Sequence, residues 1–142
     1  MPYCTQANLV DRFGQVELIQ LTNPTDPAAV TVNATRVDDG IADIDALIDA
    51  KLQARYTLPL AAVPRVLRNI ACDLVRARLY EDRITDHVAK RETAALKLLD
   101  EIAQGKLQLG LDDAGQAAPS SDGPQFTAGA RVFSSKLLGD YA

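Results

Sequence analysis

His87 is the chain's one histidine, and no cysteine or second histidine lies near it in sequence to complete a set of metal ligands. The carboxylates of DDGIADIDALID, among them Asp39, Asp43 and Asp49, share part of one helical surface. Oxygen-ligand sites for divalent ions draw on loops or converging elements, so a solvated polar face accounts for these residues. Ser120, Ser121, Ser134 and Ser135 have no base that the sequence places beside them. A GxSxG elbow, a phosphate-cradling glycine loop and an HExxH pair are all missing. The reading is a chain with no catalytic residues, no metal and no cofactor, hence not an enzyme. Cys4 and Cys72 stand far apart in sequence, and Cys72 falls in an apolar-periodic stretch, which predicts reduced cysteines used for packing.

Charge is the one chemical signal left. Net charge is −4 over 142 residues and the pI is near 4.9, which argues against nucleic-acid binding through bulk charge. The distribution is uneven: Val63–Lys106 holds nine Lys/Arg against seven Asp/Glu, whereas Met1–Ala62 holds four against eight. Arg65, Arg68 and Arg76 are spaced to share one side of a helix. Asp43 and Asp49 stand on the polar side of another. These five are the candidate contacts between neighbouring copies. A simply solvated surface, or a weak DNA face without interleaved aromatics, fits the same residues.

The elements that position them are helical. The 47% hydrophobic content is carried by Ala, Leu, Val and Ile, with three Phe, four Tyr and no Trp, a palette of helix formers. Thr5 suits an N-cap for a helix from Gln6 to Phe13, and Gly14 suits its left-handed stop. QVELIQLT adds one or two further turns, and NPTDPAAVTVNAT reads as a loop in which AVTVN could be a short strand. Val37, Ile41, Ile44, Leu47, Ile48 and Leu52 mark a helix from Arg36 to about Tyr56, N-capped by Thr35, with Asp38 and Asp39 in its first turn and Asp43, Asp45, Asp49 and Gln53 on its solvated side. Pro64 opens a third helix with a stripe from Leu67 to Leu79. A fourth runs from Asp86 to Gln104 and stops at Gly105. The expected fold class is all-α, a small bundle of about four helices with an extended C-terminal arm.

The organisation follows from composition. Residues 1–110 form the helical bundle domain. Residues 111–125, rich in Gly, Pro, Ser and Asp, have almost nothing to bury and read as a flexible linker. Residues 126–142 recover apolar content and read as a docking arm, with Phe133, Leu137, Leu138 and Tyr141 as anchors and Arg131 as an orienting charge. The N-terminus lacks the basic-then-apolar pattern of a signal peptide, and no apolar run approaches the roughly 18 residues of a membrane span. The expectation is a soluble protein made in the cytoplasm.

RYTLPLAAVPRVLRN joins the second and third of these helices through an apolar connector, although helix joints are normally short and polar. Tyr56, Leu58 and Leu60, with Pro59 and Pro64 stiffening the turn, either plug the end of the bundle or present an apolar tip to another protein. These residues also carry a resemblance. MPYCTQANLVDRFG, then IDALIDAKLQARYTLPL through VPRVLRNIACDLVRARLY, then ARVFSSKLLGDY, in that order over nearly the whole chain, resemble the Mu-like phage and prophage neck-protein family. The Tyr56–Leu60 connector, Pro64 and Ile70–Asp73 are its most specific part, and the linker carries none of it. The resemblance implies a structural subunit similar to the head–tail adaptors of long-tailed phages. It would form a ring of about twelve copies beneath the portal, contacting the portal protein and the next neck or tail-completion protein, with weak contact to DNA in the channel and none to membrane. Such a subunit is made in the bacterial cytoplasm and ends in the virion neck. It implies no catalytic residues. A different class, a small regulatory or DNA-binding helical module, fits the composition and would bind duplex DNA in a salt-sensitive way.

Overall fold

The computed structural model describes residues 2–110. The expected linker and docking arm, with Arg131, Phe133, Leu137, Leu138 and Tyr141, lie outside the described residues. Within them the chain is all-α. Five helices run in order: α1 (Gln6–Phe13), α2 (Gln15–Thr22), α3 (Ala34–Leu52), α4 (Arg65–Tyr80) and α5 (Asp86–Ala103), with a 3-10 turn at Glu81–Arg83 between the last two. The further turns after Gly14 are a helix in their own right, so the bundle has five members. Gly14 makes the break, with φ 92° and ψ 148°. That positive-φ, extended-ψ region is open essentially to glycine alone and differs from the left-handed helical stop expected there.

Capping sets the other boundaries. Thr5 and Asn8 form a reciprocal box at the start of α1, satisfying two of the N–H groups that a helix start leaves open. α3 begins earlier than the spacing suggested, because Asn33, not Thr35, is its N-cap and accepts from the Arg36 amide. The buried Thr22 hydroxyl decides the choice by accepting the Asn33 N–H at 3.1 Å, which pins Asn33 in extended backbone. Asp38 and Asp39 therefore fall past the first turn, out of reach of the dipole's strongest effect. α3 also ends sooner, at Leu52, where its carbonyl takes both the Arg55 and Tyr56 amides and turns Tyr56 inward. Pro64 is the N-cap of α4 rather than its first residue. The 23–33 segment holds turns and no strand.

α4 is the hub, packing against each of the other four helices. Its Leu67, Ile70, Ala71, Leu74, Val75 and Leu79 are buried with Val37, Ile44, Ile48 and Leu52 of α3 and Leu99 and Ile102 of α5. Each large side chain so buried contributes about 1.5–3 kcal/mol. The N-terminal segment is fastened to this core. The Tyr3 amide donates to Asp45 at 3.0 Å and its hydroxyl donates to Asp49, so two of the α3 carboxylates expected in solvent serve as anchors. Burial, then the Asp49 contact, pushes the Tyr3 phenol up. Burial likewise raises Asp45, against the pull of the Tyr3 amide. Cys4 and Cys72, distant in sequence, are free, buried and neighbours in space. The hydrogen bond with Cys72, then burial, drives the Cys4 thiol up.

α5 ends as its glycine predicts. Gly105 has φ 76°, its amide bonds Ile102 and the Lys106 amide bonds Glu101, the paired closure of a Schellman motif. A Cβ at Gly105 would collide with the Arg55 guanidinium. Gly105→Ala is expected to lower the unfolding free energy by about 1–2 kcal/mol, from positive-φ strain alone. Adding Arg55→Ala relieves the collision and not the strain, so in urea titrations the double variant should keep most of the loss.

Candidate interaction surfaces

Three surfaces emerge. The first is built on the side of α4 that faces α1 and α2. Asp73 takes two bonds from Arg12, Nε to Oδ1 at 3.3 Å and an Nη to Oδ2 at 3.2 Å, and one 3.2 Å ion pair from Arg91. Arg12 also donates to Asn69. One turn on, Arg76 Nε donates to Glu17 of α2 at 2.6 Å, and the Tyr80 hydroxyl donates to the same carboxylate at 3.0 Å. Burial works against the Arg76 cation, yet Glu17 holds its pKa raised. Burial and then the bond to Glu17 raise Tyr80. The guanidiniums of Arg76, Arg12 and Arg91 stand 4.5, 5.6 and 5.9 Å from the Phe13 ring centre, within cation–π range. Beside them an apolar cleft floored by Val66, Ile70 and Leu98 runs between α4 and α5. Arg65 and Arg68, on the first turn of α4, are exposed and make no ion pair among the described residues. This face carries five arginines against two carboxylates.

The second surface lies on the other side of α4. A groove of about 900 Å³ opens between α3, the end of α4, the 3-10 turn and α5. Asp39, Asp43, Glu81, Asp82 and Glu92 line it against Arg36 and Arg78, over a floor of Gly40, Ala77 and Leu79. Arg78 pairs with Asp43 at 3.0 Å, and both stay more than half exposed. Arg36 pairs with Glu81, a non-glycine residue at φ 51°, where backbone strain is expected. Asp39, Asp82 and Glu92 make no ion pair among the described residues.

The third surface is the apolar connector. Tyr56 and Leu60 are 4% and 5% exposed and belong to the core. Leu58 and Pro64 are half-buried, and Pro59 is exposed. Leu58, Pro59, Leu60 and Val63, with Tyr3 and Asp49, line a cavity of about 290 Å³. The inner pair, Tyr56 and Leu60, thus plugs the bundle, and Leu58 and Pro59 open to solvent.

Of the five charged residues singled out from sequence, Arg65 and Arg68 are exposed on the first surface without an ion pair among the described residues, and Asp43 lines the second. Asp49 is held by Tyr3, and Arg76 by Glu17 and Phe13. The sequence reading missed Arg12, Asp73 and Arg91. An acid set among the arginines of α4 was the only local hint. His87 is exposed. Among the described residues no group of His, Cys, Asp or Glu is placed to hold a metal, and no helix is long and apolar enough to cross a membrane.

Residues 3–128 match the family model described as Bacteriophage Mu, Gp36. The chain belongs to the bacteriophage Mu Gp36 family. This Gp36-family chain is similar, at 28% identity over 92% of both sequences, to the Mu-like prophage FluMu protein gp36 of Haemophilus influenzae. It is 29% identical to gene product J of Escherichia phage Mu, over 98% of this chain and 99% of that one. The family match spans the whole described bundle, so all three surfaces belong to its Gp36 region. The expected Mu-like phage resemblance holds at the level of the family.

Proposed function

We propose that this chain is a structural subunit of a Mu-like virion, a head–tail adaptor that sits as a ring beneath the portal and joins head to tail. The observation that carries the reading is the Gp36 match over residues 3–128, with phage and prophage relatives similar along nearly their full length. Supporting it are an all-helical bundle, charged faces of opposite sign and a partly open apolar connector. The role is one of binding and needs no cofactor. Its partners are the portal above and the next neck or tail-completion protein below. The site of action is the virion neck, reached from assembly in the host cytoplasm. A DNA-binding module is the less favoured reading, because Asp73 and Glu17 sit inside the arginine face and oppose phosphate contact.

The test is to mix the full chain with assembled portal rings and measure the mass of the complex by size-exclusion chromatography with light scattering, beside a chain stopped at Gly110. About one copy per portal subunit, in a closed ring, is expected for the full chain. Loss of binding on truncation would assign the contact to residues 111–142. Portal rings that elute at their own mass with either form would overturn the adaptor reading.

A further inference from the structure

We propose that the carboxylate groove of one copy receives the arginine face of the next, so that copies of this chain associate head to tail through two different surfaces. Three observations converge on a second copy as the occupant. The faces mirror one another in charge, five carboxylates against two arginines in the groove and five arginines against two carboxylates on the other face. They also point different ways: at 3.6 residues per turn, Arg78 of the groove lies about 160° around α4 from Arg76 and about 140° from Arg65, with Arg68 on the flank about 80° away. One chain therefore cannot bring its own two faces together, whereas identical neighbours can.

The third observation is local. α4 begins at Pro64 without a side-chain cap and without an acidic residue in its first turn, yet Arg65 and Arg68 stand there. Cations at a helix N-terminus oppose the dipole, and no carboxylate among the described residues answers them. The groove offers Asp39, Asp82 and Glu92, equally unanswered. Bringing the two sets together pairs charges left open among the described residues of each copy, and like-charged misalignments are excluded by the same fields. Unlike surfaces in contact generate a ring when the rotation closes and a filament when it does not. This inference deepens the adaptor reading and rests on it for its biological setting.

Sedimentation velocity of the full chain, over a concentration series at about 50 mM and about 500 mM salt, tests it, since exposed charge pairs are screened as ionic strength rises. Association at low salt that weakens at high salt is expected. Glu92→Lys and Arg68→Glu touch no ion pair among the described residues, and each should weaken association at least tenfold with unchanged circular dichroism. The two together reverse both faces and should restore association to within about threefold of the original, by regained complementarity. A chain monomeric at both salts, single reversals without effect, or a double variant as weak as the singles would each overturn the proposal. The portal experiment separates the two ideas: stoichiometric portal binding by a chain that never self-associates sinks this interface and leaves the adaptor standing. Self-association without portal binding does the reverse.

Discussion

Tyr56→Ala should lower the unfolding free energy by about 3–5 kcal/mol, the range for deleting a buried aromatic ring. Tyr56 is 4% exposed, held where the Leu52 carbonyl turns the chain inward, and its loss leaves a void between α3 and the connector. A fall in Tm of roughly 10 °C or more is the corresponding thermal readout. Leu58→Ser, two residues on and half-buried, should cost about 1 kcal/mol or less. The pair separates the two halves of the connector. If Leu58→Ser weakens portal binding while the fold holds, the outer half is a contact. A Tyr56→Ala protein as stable as the original would refute the plug.

Asp73→Ala is expected to cost about 2–3 kcal/mol, for a different reason. Asp73 is 13% exposed and is the carboxylate shared by Arg12 and Arg91. Without it three guanidiniums crowd one phenyl ring with only Glu17 to balance them. Removing one partner of a fully buried pair costs about 3–5 kcal/mol. Here Arg12 and Arg91 keep 28% and 37% of their side-chain surface in water, which lowers the figure. The electrostatic part of the loss is repulsion between arginines, so added salt should recover some of it. Urea titrations at low and high salt check this. A loss that ignores salt would point to packing rather than charge. Asp73→Asn, which keeps the shape and removes the charge, should fall between.

Much of this fold is legible in local sequence. Thr5, Gly14 and Gly105 mark helix ends by backbone chemistry that acts within four residues, and the apolar stripe of α4 follows from its period. Helix boundaries fail where distant residues choose. Asn33 and Thr35 are both good caps, and only the Thr22 hydroxyl, packed under the loop, selects Asn33. The same holds for the surfaces. Periodicity put Arg65, Arg68 and Arg76 on one side of a helix but could not say that Glu17 takes Arg76. Nor could it say that Tyr3 reaches across to Asp45 and Asp49. Those assignments depend on how α1 and α2 lie across α4, which no window of sequence contains.

The way α1 is fastened sets a schedule for synthesis. Arg12 bonds Asp73, 61 residues further along the chain. Tyr3 waits for Asp49, 46 residues on. At about 5–20 residues per second, the ribosome delivers Asp73 some 3–12 s after Arg12. Through that interval α1 lacks the α4 surface it packs against. α1 is thus made well before the partner that fastens it, and the nascent chain passes through a stage in which this segment is adhesive to any chaperone or neighbouring polysome within reach.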